Sequence, residues 1–322
     1  MKIGERVLDI LTIGDALVSF NPSTTGPLRF VSTFERKVGG AELNVAIGCS
    51  RLGLKAGWIS RLGKDEFGRY VYNFARGEGV DVSQVKLVEG YPTSIYFKEL
   101  LSGEKVNSYY YRQQSPTLSF NVNEIDEDYV RQARILHISG VFPAVNDVNR
   151  EILLHLLKLA KKHNLTVTFD PNIRLKLWSQ EEAREILLSY LPYVDVLIIG
   201  EEEAEILFGT SEPNQFVEAV EKAGIFHAVL KQGERGATAF KDGDKVYVPV
   251  KNDIDVVDVI GAGDGFAVGY LYSMIQNWSL DKSLDFSNAV AAHVIGVKGD
   301  NEGLPYKEEL EIFLGVKKGI SR

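Results

Sequence analysis

The sequence predicts an α/β fold in which helices cover both faces of a mostly parallel sheet. Short apolar runs typical of buried strands alternate with segments of helical period. Two further stretches, rich in β-branched and aromatic residues, predict a small antiparallel sheet inserted into this body. The composition, with 45% hydrophobic and 25% charged residues in a chain of 322, is typical of a globular protein and excludes a fibrous or disordered chain.

The alternation of strands and helices is the main reason for predicting parallel pairing. Residues 147–164 give the clearest helix, since Val148, Ile152 and Leu156 share one face and lysines cluster in the last turn. Helical crossovers between strands favour a doubly wound sheet. The strand-like runs are Asp9–Ile13, Ala56–Ile59, Ile135–Ile138, Thr166–Phe169, Val194–Ile199 and Ala228–Leu230.

The inserted sheet is predicted from residues 28–38 and 93–112, which lack helical period. Within the second stretch, residues 94–101 and 106–112 flank Ser102–Lys105, the pattern of a β-hairpin. We therefore expect two regions in the chain. The α/β body takes residues 1–15, 36–90 and 118–322, and the small sheet takes residues 16–35 and 91–117.

Charge and cysteine content exclude several classes of function. With 36 basic and 44 acidic residues the net charge is −8, which disfavours nucleic acid as a partner. Cys49 is the single cysteine, so no intrachain disulfide forms, and we expect its thiol to be buried packing. The five histidines lack zinc-type spacing, and no leader or membrane-spanning apolar run is evident. The expected location is the cytoplasm, without membrane attachment.

A glycine-rich segment at residues 258–266 is the sharpest motif. It follows the strand-like Asp255–Val257 and precedes a helical segment at residues 267–276. Glycines before a helix let backbone N–H groups converge on an anion. Asp264 at such a site has two interpretations: it caps the helix, or it is a general base in phosphoryl transfer. Walker A spacing is absent, and Phe266 stands where a dinucleotide fingerprint needs its third glycine.

Two other glycine signals accompany this motif. Gly39-Gly40 precedes a helix whose first turn carries Asn44, either a hydroxyl-binding amide or a cap. The segment from Lys231 to Gly236 resembles a strand followed by a glycine turn. Such turns are common in β-hairpins and by themselves do not indicate a binding site.

Together these motifs resemble the ribokinase (PfkB) family of carbohydrate kinases over nearly the whole chain. The Gly39-Gly40…Asn44 segment is similar to the family's N-terminal signature, and residues 258–266 are similar to its C-terminal signature. The resemblance implies a ribokinase-like three-layer sandwich with a β-sheet lid over the sugar, ATP as phosphoryl donor and Mg²⁺ as its metal. It also implies a homo-oligomer joined through the lid.

The resemblance implies a role for each matching residue. Asp264 matches the catalytic base, and the amides of Gly261, Ala262 and Gly263 steady the phosphoryl group. Asp15, Gly40, Ala41 and Asn44 match substrate-side positions. Nucleotide-side positions are matched by Asn172, Lys231, Gly233, Gly236 and Asn288, the last beside the adenine.

The sequence departs from the family pattern at two places that concern the binding of metal ions. Glu203 matches a glutamate that organises magnesium through water, but Gly200 stands where the family usually has asparagine. Val259-Ile260 replaces a common Thr-Thr pair, which puts activation by a monovalent cation in doubt.

Within the family, the chain is most similar to 2-keto-3-deoxygluconate kinases. The match includes Tyr109–Arg112, Arg174 and Asp300. Arg112 and Arg174 each carry a planar guanidinium whose paired N–H donors suit a carboxylate. Tyr96 and Tyr110 complete the expected pocket. Arg112 could instead be solvated on its strand, and Asp300 could instead cap a turn.

The expected reaction is phosphorylation of the terminal hydroxyl of 2-keto-3-deoxygluconate, with Asp264 as base. A fructokinase or another keto-sugar kinase is the alternative. A binding protein without turnover is disfavoured by the intact Asp264 and Gly-Ala-Gly amides, and a nicotinamide oxidoreductase is disfavoured by the missing third glycine.

Overall fold

The computed structural model describes residues 6–101, 106–251 and 255–315. Its strands form two separate sheets, of nine and four strands. The strands are β1 (Leu8–Ile13), β2 (Leu17–Pro22), β3 (Phe34–Gly39), β4 (Ala56–Gly63), β5 (Val85–Val88), β6 (Ser94–Leu100), β7 (Val106–Tyr111), β8 (Ala133–Ser139), β9 (Thr166–Asp170), β10 (Val196–Gly200), β11 (His227–Lys231), β12 (Ala237–Lys241) and β13 (Asp244–Val248).

The large sheet has the order β13-β12-β11-β10-β9-β8-β1-β4-β5. Pairing is parallel from β11 through to β5, and β12 and β13 add an antiparallel edge. The strand-like runs of the sequence all fall on strands of this sheet, so the prediction of a mostly parallel sheet is confirmed. Because parallel strands end at the same edge, the residues that follow β1, β9, β10 and β11 meet there.

Helices cover both faces of the large sheet. The helices are α1 (Ala41–Arg51), α2 (Glu66–Gly77), α3 (Glu127–Val130), α4 (Val141–Val145), α5 (Asp147–Lys162), α6 (Gln180–Tyr190), α7 (Glu201–Phe208), α8 (Pro213–Lys222), α9 (Ala262–Ile275), α10 (Leu280–Ile295) and α11 (Lys307–Phe313). Helices α5 to α8 contribute to one buried apolar cluster and α1, α2, α9 and α10 to the other, which makes three layers. Cys49 is buried in the second cluster, as expected, and burial raises the pKa of its thiol.

The small sheet has the order β3-β2-β6-β7. Strands β6 and β7 form the expected antiparallel hairpin, whose turn at residues 102–105 lies outside the described residues. One part of the prediction is wrong: Leu28–Phe30 forms a short 3₁₀ turn, and β3 begins only at Phe34. Strand β3 runs to Gly39, so its last four residues lie beyond the boundary expected at residue 35.

Two local predictions near the glycine motif are wrong. Asp255–Val257 is not a strand: both valines are more than half exposed, and the Val257 N–H donates to the Ile295 carbonyl at the end of α10. Helix α9 begins at Ala262, five residues before the predicted start. Gly263 and Gly265 have low helix propensity, and packing against α1 and α10 overrides it.

None of the helices in the described parts of the chain combines the length and apolar character that crossing a membrane requires.

Candidate active site

The candidate site lies where the carboxyl edge of the large sheet faces the small sheet. Asp15 follows β1, Asp170 ends β9, and Lys231 ends β11. Each strand places its last side chains at this edge because the strands run parallel. The start of α9 brings Asp264 to the same place.

The turn before α9 requires glycine at its first position. Gly261 is the N-cap of α9 with φ +81°, and a Cβ there would overlap the backbone carbonyl oxygen of Asp300. The first turn of a helix leaves N–H groups without acceptors inside the helix, and the helix dipole favours an anion beside them. The segment Gly261–Gly263 therefore has the geometry of an anion site.

Asp264 lies in the first turn of α9 with only 9% of its surface exposed. Its Oδ2 accepts a hydrogen bond from Asn44 Nδ2 at 2.8 Å, and its Oδ1 accepts one from Asn172 Nδ2 at 3.3 Å. These partners are side-chain amides from two other elements, whereas the cap position belongs to Gly261. Asp264 therefore does not occupy the cap position of α9, and side chains of two other elements orient its carboxylate.

The electrostatic surroundings of Asp264 raise its affinity for a proton. Burial is the main cause, and it raises the pKa of Asp264 to about 6, although the hydrogen bond from Asn44 and the charge of Arg174 act in the opposite direction. A buried carboxyl with a pKa near neutrality is typical of catalytic acids and bases.

Lys231 supplies a positive charge beside the anion site. Its Nζ lies 3.7 Å from the position a Cβ on Gly263 would take, and it donates to Asp170 Oδ2 at 2.7 Å. The nearby carboxylates Asp170 and Glu203 outweigh burial and raise the pKa of Lys231, so the ammonium stays charged.

Glu203 lies in the first turn of α7, and two backbone N–H groups donate hydrogen bonds to its carboxylate. Its Oε2 accepts from the Gly200 N–H at 2.9 Å and its Oε1 from the Ile173 N–H at 2.8 Å. Burial raises its pKa, and Lys231 opposes that effect. A Cβ on Gly200 would lie 3.3 Å from Glu203 Oε2, so glycine at this position fits closely against the carboxylate.

The inner face of the small sheet carries polar side chains toward the body. Arg112, just after β7, donates from Nη2 to Asp15 Oδ2 at 2.8 Å, so it is not solvated as the alternative expected. Ser94 Oγ also donates to that oxygen. Within the described residues, Asp15 Oδ1 and Arg112 Nε are buried and have no hydrogen-bond partner. A buried acceptor and a buried donor are thus available to a ligand.

A second contact joins the small sheet to the loop after α10. Lys98 Nζ donates to Asp300 Oδ1 at 2.8 Å, and Tyr96 Oη donates to Asp300 Oδ2 at 2.9 Å. The Tyr96 ring stacks on Tyr110 with centroids 5.2 Å apart. Asp300 therefore binds side chains of the small sheet and does not cap a turn with its carboxylate.

The diglycine segment packs against the residues that follow β1. Gly40 has φ +147°, and a Cβ there would lie 2.8 Å from the Asp15 carbonyl oxygen, so a larger residue does not fit. Ala41 begins α1, which puts Asn44 one turn later beside Asp264. A second hydrogen bond, from Asn301 Nδ2 to Asn44 Oδ1 at 3.3 Å, fixes which way the Asn44 amide points.

Arg174 differs from Arg112 in its surroundings. It is exposed, and its recorded hydrogen bond goes to the adjacent Ile173 carbonyl at 3.3 Å. Its charge nevertheless lowers the pKa of Asp264, which puts it on the same side of the site. Asn172, which is expected on the nucleotide side, donates a hydrogen bond to Asp264.

A cleft of about 240 Å³ lies beside α10 at the opposite end of the glycine motif. Asn288 lines it and donates from Nδ2 to the Val248 carbonyl at 3.1 Å. Gly236, with φ +116°, approaches the same strand end so closely that a Cβ would overlap the Val248 carbonyl oxygen. Gly233, with φ +59°, turns the chain between Lys231 and Gly236. Gly236 and Asn288, two of the residues expected on the nucleotide side, thus both lie against the Val248 carbonyl at the end of β13.

A family comparison agrees with this arrangement. Residues 7–307 match the model of the pfkB family of carbohydrate kinases. The chain belongs to this family. It is thus an ATP-dependent carbohydrate kinase with a small-molecule sugar as its substrate.

Individual relatives of this kinase span its whole length. The 2-dehydro-3-deoxygluconokinase of Bacillus subtilis is 32% identical over 316 residues, covering 97% of both chains. The 5-dehydro-2-deoxygluconokinase of Clostridium beijerinckii is 33% identical over 321 residues, covering 97% of this kinase and 94% of the relative. A crystal structure of an uncharacterised sugar kinase from Pyrococcus horikoshii in complex with ATP is 30% identical, with a TM-score of 0.80, covering 94% of this kinase and 97% of that chain.

The sequence does not predict three polar residues that lie beside the side chains of the candidate site. Lys98 was detectable, because Ser94, Tyr96 and Lys98 alternate along one strand and must share a face. Glu42, completely buried beside the site, and Asn301 gave no such signal. A glutamate in the first turn of a helix is usually a solvated dipole partner, and only the tertiary fold reveals its burial.

Proposed function

We propose that this kinase phosphorylates the terminal hydroxyl of a keto sugar acid, with 2-keto-3-deoxygluconate as the best candidate. The observation that carries this proposal is the buried pair of unused atoms, Arg112 Nε and Asp15 Oδ1, under the small sheet. A guanidinium fork with a free donor suits a carboxylate, and the free aspartate oxygen suits a hydroxyl. The names of the relatives in Bacillus and Clostridium support a sugar acid of this kind.

The chain's own residues account for the transfer in three roles. Asp264, ionised at neutral pH, accepts the proton of the sugar hydroxyl as the oxygen attacks the γ-phosphorus of ATP. A new P–O bond forms to the sugar, the bond to the β-phosphate oxygen breaks, and ADP leaves. The amides of Gly261–Gly263 and the Lys231 ammonium stabilise charge on the transferring group. Asn44 and Asn172 orient the base through its two oxygens.

The carboxylates beside Lys231 fit magnesium that the nucleotide brings with it. In the described part of the chain, no cluster of three or more acidic, histidine or cysteine side chains could hold a metal by itself. Mg²⁺ commonly keeps several waters and binds phosphates plus one or two carboxylates. Both oxygens of Asp170 already accept hydrogen bonds, from Lys231 and from the Asn172 N–H, and both oxygens of Glu203 accept from backbone amides, so both carboxylates would hold such an ion through water. Bound Mg²⁺ neutralises charge on the phosphates.

Two keto sugar acids compete as substrates because relatives of equal identity carry different names. In 2-keto-3-deoxygluconate the ketone is next to the carboxylate, whereas in 5-keto-2-deoxygluconate it is next to the reacting end. The Tyr109–Arg112 run, which also supplies Tyr110 for stacking on Tyr96, favours the first. A fructokinase is the alternative that lacks a carboxylate altogether.

Arg174→Leu tests carboxylate binding at the second arginine that the family resemblance implies for the substrate. A substitution of Arg112 is unsuitable for this test, because it would leave the Asp15 carboxylate buried without its cation and so destabilise the fold. Losing a charged contact costs about 1.5–3 kcal/mol, or roughly tenfold or more in kcat/KM. We expect that loss with the sugar acid and a much smaller one with fructose.

Lys176→Leu, an equal change of charge two residues away at an exposed position, serves as the control and should affect neither substrate. Equal losses on both substrates for Arg174→Leu would refute the carboxylate interpretation.

We also propose that the small sheet, with residues 16–35 and 91–117 as its main parts, closes over the sugar as a lid. The contacts Arg112–Asp15 and Lys98–Asp300 already span the two parts of the molecule. Closure would exclude water, which competes with the sugar hydroxyl for the phosphoryl group. The cytoplasm, where ATP is abundant, is the location we propose.

The outer face of the small sheet supports the proposal of self-association. Phe20 stacks on Phe97 with centroids 4.9 Å apart, and Tyr111, which packs edge-on to Phe97, is 60% exposed. An exposed aromatic face suits a second copy of the chain. Sedimentation of the wild type and of Tyr111→Lys tests this: we expect the variant to dissociate at concentrations where the wild type does not.

A further inference from the structure

Glu42 is a buried acid next to the site for which the mechanism above has no use. It is the second residue of α1, and its side chain is completely buried. Its Oε1 accepts a hydrogen bond from the Phe142 N–H in α4 at 3.1 Å. On the other side, a Cβ on Gly14 would overlap Oε2, so the carboxyl fills the space that glycine leaves after β1. One carboxyl thus connects α1, α4 and the end of β1.

The groups that face Glu42 do not offer it a cation of its own. Asp264 faces it from α9, Asp15 from the loop after β1, and Arg112 from the end of β7. Arg112 is already paired with Asp15. Within the described residues, Glu42 Oε2 has no hydrogen-bond partner. A buried carboxylate oxygen without a donor is costly, whereas a neutral carboxyl costs much less.

We propose that Glu42 is a positioning residue that connects α1 to α4 and stays uncharged during turnover. Asp264 is then the carboxylate that is ionised beside the transferring phosphoryl group. This inference rests on the proposed function, because it assumes that Asp264 accepts the proton. Two ionised carboxylates in one buried region raise each other's pKa and repel an arriving phosphate. A neutral Glu42 avoids both effects while its Oε1 keeps the bond to Phe142.

The proposal assigns a pH limit to the kinase. Burial is the main reason that the pKa of Glu42 is raised to about 8. The backbone N–H of Glu42 itself and the charge of Arg112 oppose this shift, whereas the charges of Asp264 and Asp15 add to it. Glu42 is therefore neutral below that pH and ionises above it. We expect kcat/KM for the sugar acid to fall by about tenfold per pH unit above that value.

Glu42→Gln separates charge from shape. Glutamine keeps the volume and the acceptor for Phe142 but cannot ionise. We expect it to lower kcat/KM at pH 7 by less than about threefold and to move the alkaline decline upward by about one pH unit or more. Glu42→Ala should lower activity at every pH, because it removes the tie to α4 and opens a cavity. Glu181→Gln is the matched control: Glu181 is the second residue of α6 but exposed, so the decline should not move.

Two results would overturn the proposal: an unchanged alkaline decline in Glu42→Gln, or a folded Glu42→Gln as inactive at pH 7 as Glu42→Ala. Infrared difference spectra between pH 7 and pH 9 test the charge of Glu42 without any substrate. The wild type should lose a carboxylic-acid C=O band that Glu42→Gln lacks. If the band titrates but the wild type phosphorylates no sugar acid, the proposed function fails and the charge assignment stands. If the wild type is an active sugar-acid kinase without the band, the inference about Glu42 fails alone.

Discussion

Replacing Asp264 by asparagine tests the assignment of the base. The surroundings raise the pKa of this carboxyl from 3.8 to about 6, which corresponds to roughly 3 kcal/mol of extra proton affinity. At pH 7 such a group is still about 90% ionised, so it is both available and basic. Asparagine keeps the shape but cannot accept the proton. We expect kcat to fall by about 100-fold or more, with little change in ATP binding.

The same substitution has a predictable structural cost. Asp264 accepts from two side-chain amides, Asn44 and Asn172, and asparagine has only one acceptor oxygen for them. The NH2 group of the new asparagine would then face the NH2 group of Asn44 or Asn172, with no acceptor between them. This lowers the free energy of unfolding by about 1–3 kcal/mol. Thermal melting should therefore show a decrease in Tm of several degrees with a cooperative transition retained.

The assay is steady-state turnover of the sugar acid with ATP, from pH 5 to pH 8. In the wild type kcat/KM should fall below about pH 6, because protonation of Asp264 removes the base. In Asp264→Asn the residual rate should lose that dependence. Asp258→Asn, in the same loop but bonded to the Ile260 N–H, is the control and should keep both rate and pH profile. A folded Asp264→Asn with kcat within about tenfold of wild type would refute the base assignment.

Three further predictions concern the lid and the phosphate side. Binding of the sugar acid should protect amides of β6 and β7 from hydrogen exchange more than amides of α5, and equal exchange with and without it would argue against a lid. Lys98→Met combined with Asp300→Asn, which removes both charges of this buried pair, should raise KM for the sugar more than it lowers kcat; an unchanged KM would exclude a role for this contact in binding. Lys231→Met combined with Asp170→Asn, which removes both charges of one buried pair, should fold yet lose at least about tenfold in kcat, and normal turnover would exclude Lys231 from charge stabilisation.

The sequence was sufficient where local pattern and tertiary structure agree. The apolar runs around Ile10, Leu136 and Val229 lie on parallel strands that helices cover on both faces, and continuous apolar character is typical of such strands. Asp255–Val257 has the same composition but remains outside both sheets, since pairing depends on neighbours that composition does not reveal. Helix α9 likewise starts at Ala262 despite its glycines, since packing compensates for poor propensity.

For the site, motif spacing identified residues but not their contacts. Asp264, Gly261 and Asn44 were predicted at the site from the two glycine segments, and the structure brings them together. The hydrogen bond from Asn172 to Asp264 depends on the conformation of the loop after β9. No local sequence pattern predicts that conformation. Glu42 was overlooked for the same reason: its burial depends on Gly14, which is 28 residues earlier in the chain.

The most direct test of the central claim is identification of the product. Purified kinase is incubated with ATP and Mg²⁺ together with 2-keto-3-deoxygluconate, 5-keto-2-deoxygluconate or fructose, and the products are analysed by mass spectrometry and carbon NMR. We expect a phosphate on the terminal hydroxyl of a sugar acid, formed in equal amount to ADP, with kcat/KM at least about tenfold above that for fructose. Equal or faster phosphorylation of fructose, or ADP formation without a sugar phosphate, would contradict it.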